Sequence, residues 1–328
     1  VKDAAGKKPT VPSWSGEMLP RSFDLSVGIG EFRRKLAARI NDDDVLDWLM
    51  EDYHIDKGSA QTIVSYFKEQ MGVIGELPTD ERLVMEGHID QDGKYNLIFH
   101  ACFGRRTNDA LSRAFAYKIS KRYNCNTNVS VTDDNFMITT LKKIEMDEVV
   151  DLVNFENIEE TLKSCVKNTE LFKQRFRHCA GRALMILRNY KGRDISVSKQ
   201  KLRSKKILDR LHGVEDFPVI KETYNEILYQ VLDLKHAKEV LKWIDEGDMD
   251  VHIENYNDTP SPFAHNVIMV GVSDVIMMED KSSLLRQFHQ KVLEQVIPKE
   301  EIEKFKFESE VVDEYYFEKK PEFDSKEE

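Results

Sequence analysis

In the first part of the chain, apolar residues recur every three or four positions, and this pattern predicts three short helices. They are expected over residues 31–40, 43–53 and 58–71. Asp42 or Asp43 can cap the second helix, and Gly72 can end the third. The pattern therefore predicts a small helical unit ahead of the first strand.

Beyond this unit, apolar and polar residues alternate, and the pattern predicts two β-hairpins separated by one helix. The hairpin strands are expected at 83–89 with 95–103, and at 128–132 with 136–140. The Ala-rich segment 109–123 is the helix between them. This order predicts an α+β fold, in which an antiparallel β-hairpin sheet unit accompanies a larger, mainly helical part.

Helical patterns dominate the rest of the chain, with a late strand expected at 248–254 and a last helix at 282–296. From these patterns we expect five parts. They are a linker segment carrying Trp14 (1–30), a small helical unit (31–75), an α+β hairpin–helix–hairpin unit (76–165), a basic helical subdomain with the late strand (166–297) and an acidic, partly disordered tail (298–328).

Charge divides the chain unevenly. Residues 167–210 carry fourteen Lys or Arg against three acidic residues, a local charge of +11 in a protein whose net charge is −11. A positive segment in an acidic protein is typical of a surface that holds a polyanion. The alternative is a solvated basic face whose charges make internal ion pairs.

If 171–190 is one helix, its apolar residues form a single stripe with basic residues on both flanks. The stripe would contain Phe172, Phe176, Cys179, Ala183, Ile186, Leu187 and Tyr190. Lys173, Arg177 and Arg188 would lie on one flank, and Arg175 and Arg182 on the other. Outward guanidinium groups can pair with phosphate oxygens.

No catalytic motif is evident in the sequence. It has neither a GxxxxGK[ST] phosphate loop nor an HExxH, GxSxG or GxGxxG element. Glu86, His88 and His100 could meet in the first hairpin, either as a metal or acid/base site or as satisfied polar groups in a sheet. The four cysteines form no CxxC pair, so we expect reduced thiols in a cytoplasmic protein and no metal site. No apolar run is long enough to span a membrane.

Several segments together resemble the C-terminal core region of the large helicase-related (Lhr) family of superfamily 2 ATP-dependent helicases, found in archaea and bacteria. The similar segments are PSWSGEMLPRSFDL (12–25), LPTDERLVMEGHID (77–90), IFHACFGRRTNDALSRAFAYKIS (98–120), LFKQRFRHCAGRALMILRNYKG (171–192), DFPVIKETYNEIL (216–228) and TPSPFAHNVI (259–268). They keep the family's order and cover most of residues 12–270. The likeness fades beyond about residue 275.

The resemblance implies a part of a 3′→5′ DNA helicase that binds the tracking single strand, with a barrel-like unit similar to certain DNA glycosylases. Its partners would be single-stranded or tailed duplex DNA, or RNA, together with upstream RecA-like and winged-helix domains. ATP and Mg²⁺ would bind only those motor domains, so we expect no cofactor and no catalysis in this chain alone. Composition alone favours a Trp14 that pins the linker to the core, but the residue matches the family's base-stacking aromatic, and the resemblance therefore favours stacking. The expected nucleic-acid contacts are Trp14, Arg21, Arg105, Arg106, Lys173, Arg175, Arg177, Arg182, Arg188, Lys199, Lys201, Arg203, Lys205 and Lys206.

Two alternatives from other functional classes stay open. The glycosylase-like unit could excise bases itself, with Glu86 or another carboxylate activating water. The chain could instead be an interaction module whose acidic tail docks a basic partner. The resemblance favours the DNA repair helicase over both.

Overall fold

The computed structural model describes residues 19–271 except 168, 212 and 215. Trp14, the predicted helix at 282–296 and the acidic tail lie outside the described residues. The helices are, in chain order, α1 (Phe23–Arg39), α2 (Val45–Tyr53), α3 (Lys57–Ile74), α4 (Arg105–Tyr123), α5 (Asp147–Val150), α6 (Ile158–Val166), α7 (Glu170–Arg182), α8 (Val197–Arg210), α9 (Pro218–Asn225), α10 (Leu234–Glu246) and α11 (His265–Gly271). The strands are β1 (Arg82–Ile89), β2 (Tyr95–His100), β3 (Thr127–Val131), β4 (Phe136–Thr140), β5 (Asn189–Tyr190), β6 (Arg193–Asp194) and β7 (Asp250–Asn257).

The α+β prediction is confirmed, with a mixed five-stranded sheet at the centre. Its strand order is β3-β4-β2-β1-β7. The two predicted hairpins are present and antiparallel, and β2 and β4 join them. The late strand β7 runs parallel to β1, so the sheet is mixed rather than wholly antiparallel.

Each face of the sheet is covered by a different part of the chain. One face, with Met85, Phe99 and Phe136, packs on α4 and on the helical part in the main core. The other face carries Ile98 and Met137, which contact Val267 and Ile268 from the segment that follows β7. We call residues 259–271 the strap. Because both faces are buried, β1 is buried from Leu83 to His88.

The helical unit formed by α1, α2 and α3 has its own small core. Leu36, Leu49 and Phe67 are buried in it, together with Phe263 of the strap. The predicted first helix starts too late, since α1 already begins at Phe23, where the Ser22 side chain accepts a hydrogen bond from the Leu25 N–H. The proposed boundary between residues 30 and 31 therefore falls inside α1.

The single helix considered for 171–190 is wrong, because α7 ends at Arg182. The N–H of Met185 donates to the Ala180 carbonyl, and the N–H of Leu184 donates to the Gly181 carbonyl. Leu184 itself has a φ of 58°, in the left-handed region. These two bonds around a left-handed residue are the Schellman ending of a helix, here with Leu where Gly is usual. The predicted apolar stripe is consequently cut: Ile186 is still buried, but Ala183, Leu187 and Tyr190 are exposed.

Candidate nucleic-acid interface

Helix α7 is anchored so that its basic residues lie along one side of the helical part. The Thr169 side chain caps it by accepting from the Phe172 N–H, and Phe172 and Phe176 are buried in the main core. Helix α7 packs against both α8 and α9. The basic residues of α7 are therefore held beside those of α8.

Helix α8 exposes nearly all of its charge. Of its residues only Ser204 is buried. Four basic residues at i, i+4, i+7 and i+11 share one flank of the helix, a spacing that places them in a row about 16 Å long. They are Lys199, Arg203, Lys206 and Arg210, which we call the α8 basic row. Lys201 and Lys205 lie on the opposite flank, and all six side chains are exposed.

In the described part of the chain the α8 cations lie beyond ion-pair distance of acidic side chains, although Lys201, after Lys173, helps to lower the pKa of Glu170. Within the described part of the chain, no carboxylate forms an ion pair with any of these six residues. The contrast with α7 is instructive, since Lys173 there pairs with Glu170 at 2.6 Å. If the basic segment were only structural, its cations would be expected to form internal ion pairs. In the described chain the six α8 cations form none, and their side chains are exposed to solvent.

Four arginines lie near His178. Arg175, Arg177 and Arg182 are on α7 itself, and Arg188 is at the end of the loop that follows α7. Burial, and then the positive charges of Arg177, Arg175, Arg188 and Arg182, lower the pKa of His178. A lowered histidine pKa is what a concentrated positive potential produces. Arg188 reaches back to α7, where its Nε lies 3.9 Å from the position a Cβ on Gly181 would take.

Three of the arginines expected to contact nucleic acid have partners within the protein. Arg21 donates to the Ser26 hydroxyl at 2.9 Å and to the Asp134 carboxylate at 2.7 Å. Arg106 donates to the Tyr229 carbonyl at 2.9 Å. Arg182 pairs with the buried carboxylate of Glu226.

Both Tyr229 and Glu226 belong to a π-helical turn, Glu226–Val231, that continues α9. Such a turn displaces backbone groups from the regular helix ladder, and side chains from outside can satisfy them. Arg106 and Arg182 hold this turn from two sides. Arg105 has an intermediate exposure, and its backbone N–H donates to Asp133 at 3.0 Å.

Glu86 and His100 do come together, as part of a buried hydrogen-bond network. The His100 Nε2 lies 2.7 Å from Glu86 Oε2, and Ser261 donates its N–H and its hydroxyl to the same carboxylate at 2.7 and 2.6 Å. Asn135 Oδ1 lies 2.9 Å from His100 Nδ1, while Asn135 Nδ2 donates to the Phe263 carbonyl. Burial alone would raise the pKa of Glu86, but the hydrogen bonds from His100 and Ser261 lower it.

This network works as a clamp between the sheet and the strap. Because Asn135 Nδ2 must donate to a carbonyl, its Oδ1 accepts from His100 Nδ1, and His100 donates from both nitrogens. Glu86 is 2% exposed and its carboxylate is saturated by protein donors. No water or substrate reaches it, so this carboxylate is unsuited to activating a water molecule for base excision. The His88 Nδ1 lies 3.5 Å from the Asn96 Nδ2.

The structure finds no metal site where the sequence left one open. Among residues 19–271, apart from the three not described, no group of three or more His, Cys, Asp or Glu residues could hold a metal ion.

The four cysteines are free, and burial raises the pKa of the Cys102 thiol to about 11. In the same part of the chain no helix is long and apolar enough to cross a membrane.

Sequence reasoning missed the β5–β6 hairpin, which presents Tyr190, Lys191 and Arg193. The segment had been assigned to a helix with Tyr190 on its buried stripe. The Lys191-Gly192 dipeptide, in which both residues have positive φ, was the signal that could have identified the turn.

A sequence model described as DEAD/H associated matches residues 77–264, more than half of the chain. The chain therefore belongs to this family, and its relatives identify it as the core region of an Lhr-type protein. It is 42% identical over 301 residues to the ATP-dependent helicase Lhr-Core of Sulfolobus acidocaldarius, covering 90% of this chain and 34% of that protein. It is 29% identical over 284 residues to the Lhr helicase/uracil glycosylase of Escherichia coli, covering 85% of this chain and 18% of that protein.

Among solved structures, the chain is similar to the Mycobacterium smegmatis helicase Lhr bound to single-stranded DNA and AMP-PNP. The TM-score is 0.67 at 26% sequence identity, over 80% of this chain and 33% of that one. The chain spans about a third of the length of the archaeal relatives it matches. It is thus a helicase-associated region.

Proposed function

We propose that this region binds the single strand along which an Lhr-type ATP-dependent helicase moves. The observation that carries the proposal is the α8 basic row, which is exposed and has no ion-paired carboxylate in the described chain, beside Arg175 and Arg177 of α7. The likeness to an Lhr helicase bound to single-stranded DNA supports it.

In this proposal the contacts are of two kinds. Lys and Arg side chains of α7 and α8 neutralise phosphates and release counterions, which gives affinity without sequence preference. Trp14 stacks on one base, as its place in PSWSGE suggests. Movement in the 3′→5′ direction, with ATP and Mg²⁺, belongs to RecA-like and winged-helix domains elsewhere in the protein.

The protein partners of Arg21, Arg106 and Arg182 suggest a narrower set of phosphate contacts than the sequence did. We assign those three primarily to holding the fold. Arg175, Arg177, Arg188 and the lysines and arginines of α8 carry the binding.

The test is binding of the 328-residue chain to a labelled oligodeoxythymidylate across a salt series. The decisive variant replaces Lys199, Arg203 and Lys206 of the α8 basic row with alanine. Each lost phosphate contact lowers the slope of log K against log salt by about 0.7 on a single strand, so we expect the slope to fall by about 2. Trp14→Ala should weaken binding at every salt concentration and leave the slope unchanged.

A matched control removes three exposed lysines elsewhere, Lys57, Lys68 and Lys235, with the same change in net charge. It should alter the slope far less than the row variant. If the two triple variants lower affinity and slope equally, binding follows net charge alone and no interface exists on α8. If the unmodified chain shows no salt-dependent binding, the proposal fails.

A further inference from the structure

The end of α7 leaves an unusual group of apolar side chains in solvent. Leu184 is 76% exposed, Leu187 41% and Tyr190 58%. They occupy the fourteen residues between α7 and α8, in the middle of the most basic segment of the chain. Apolar side chains that gather on a charged surface mark a place where something binds.

Tyr190 is held at the tip of the β5–β6 hairpin. Lys191 and Gly192 form its two-residue turn with φ of 51° and 72°, the geometry of a type I′ turn. The base of the hairpin is closed by the Ile195 N–H, which donates to the Arg188 carbonyl at 2.8 Å. The hairpin therefore fixes the backbone on either side of the Tyr190 ring.

Positive charge surrounds the ring. Tyr190 pairs across the hairpin with Arg193, so their side chains leave the same face. The Lys191 Nζ lies 5.4 Å from the centre of the Tyr190 ring. Within the described chain, neither Lys191 nor Arg193 forms an ion pair with a carboxylate. An aromatic face flanked by two free cations is complementary to a ligand with flat rings joined by anions.

The backbone here is strained in a way that folding alone does not require. Leu184 and Lys191 both adopt the left-handed conformation, which is unfavourable for a residue with a side chain. A glycine at either position would remove that strain. Because α7 ends before Leu184, Leu187 and Tyr190 lie in solvent instead of on the apolar stripe that a continued helix would offer.

We propose that Tyr190 is a base-stacking residue, on which an unpaired nucleobase packs while Lys191 and Arg193 bind the phosphates beside it. The inference rests on the proposed function and adds a second stacking position to it. Since a base in a duplex has no free face, this hairpin selects single-stranded over double-stranded nucleic acid.

The test compares two single strands of equal length and charge, one of thymidine nucleotides and one of abasic nucleotides. Tyr190→Ala should weaken binding of the 328-residue chain to the thymidine strand by about fivefold or more, as loss of one stacked base predicts. It should leave binding to the abasic strand unchanged. Tyr190→Trp should restore or improve binding to the thymidine strand.

The control is Tyr229→Ala, which removes a tyrosine of similar exposure, 47%, on the π-helical turn. It should change neither affinity. Circular dichroism of each variant confirms that the fold is retained.

Three outcomes overturn the inference. If Tyr190→Ala binds both strands as tightly as the unmodified chain does, the apolar group serves another occupant, such as a protein surface, while the proposed function stands. If it weakens both strands equally, the residue supports backbone binding and not stacking. If the unmodified chain binds neither strand, the inference and the proposed function fall together.

Discussion

At the scale of one residue, the pKa of His178 reflects the positive charge of the surface around it. Its pKa is lowered by burial and by the four arginines around it, so it is neutral at pH 7. A polyanion seated on those arginines would cancel part of their repulsion. The pKa of His178 would then rise towards or above its ordinary value of 6.5.

We therefore predict that binding of single-stranded DNA takes up a proton near His178. Affinity should increase as pH falls from 7.5 to 5.5, because protonation is easier in the complex than in the free protein. The size of the gain reports how far the pKa of His178 rises when the strand binds. The measurement is fluorescence anisotropy at constant ionic strength.

The matched variant is His178→Gln, which should bind as the unmodified chain does at pH 7.5 and lose most of the gain at pH 5.5. An unchanged pH slope in this variant would place the proton uptake elsewhere.

At the scale of elements, the chain's local patterns predict more than its long-range pairings. Strand β4 occupies the predicted residues 136–140, and β1, β2 and β3 are each within three residues of prediction at either end. These strands are short apolar runs bounded by turn residues. The parallel pairing of β7 with β1 joins segments more than 150 residues apart, and no local period encodes it.

The charged segment shows the same limit. Its composition identified a basic surface, but the end of α7 depends on Leu184 in a conformation usually signalled by glycine. Which arginines are free could not be read from the sequence, since the partners of Arg106 and Arg182 come from the π-helical turn far along the chain. Both the end of α7 and the set of free arginines therefore depend on tertiary contacts.

Helix α1 is joined to the β3–β4 turn by one carboxylate. Asp134 accepts from Arg21 at 2.7 Å and from Arg33 at 2.9 Å, and Cys102 donates its thiol to the same oxygen. Burial would raise the pKa of Asp134, but the two arginines outweigh it and lower the pKa. We predict that Asp134→Asn destabilises the fold by about 1–3 kcal/mol, since two half-buried guanidinium groups lose their counter-charge.

Urea unfolding measures this loss, and its pH dependence has a defined sign. The folded pKa lies below the ordinary value of 3.8, so the stabilisation is complete above that value and disappears as pH falls through the lowered one. The control Asp92→Asn breaks an exposed pair with Lys94 and should have no measurable effect. Equal stabilities of the two variants at pH 7 would show that the ion pairs of Asp134 with Arg21 and Arg33 do not stabilise the fold.

For the whole molecule, the strap adds a second connection between the sheet and the helical unit, besides the contacts of Asp134 with Arg21 and Arg33. Ser261 bonds to Glu86 of the sheet, while the Phe263 N–H donates to Gln70 of α3 at 2.9 Å. The Phe263 ring also packs in the core of the helical unit, with the Arg33 guanidinium 5.1 Å from its centre. Sheet, strap and helical unit are therefore expected to unfold together, and the buried pair of Glu86 and His100 is the point where they meet.

We predict that Glu86→Gln costs about 3–5 kcal/mol of unfolding free energy, because it leaves a doubly donating His100 buried without its counter-charge. The pKa of Glu86 is below its ordinary 4.5 in the folded state, so its contribution is complete above that pH and is lost as pH falls through the lowered value. Acid unfolding should thus become shallower in the variant. The measurement is urea and acid titration followed by circular dichroism, with Glu246→Gln at the exposed end of α10 as control.

This experiment also separates fold from function. The basic residues of α7 and α8 are on other elements, so Glu86→Gln should keep the salt slope of DNA binding wherever it remains folded. A folded variant that has lost binding would show that the strap network takes part in the interface. If Glu86→Gln is as stable as the control, the buried pair is replaceable, and the strap is held to the sheet by its other contacts, which include those with Ile98 and Met137 and the Asn135 hydrogen bond to the Phe263 carbonyl.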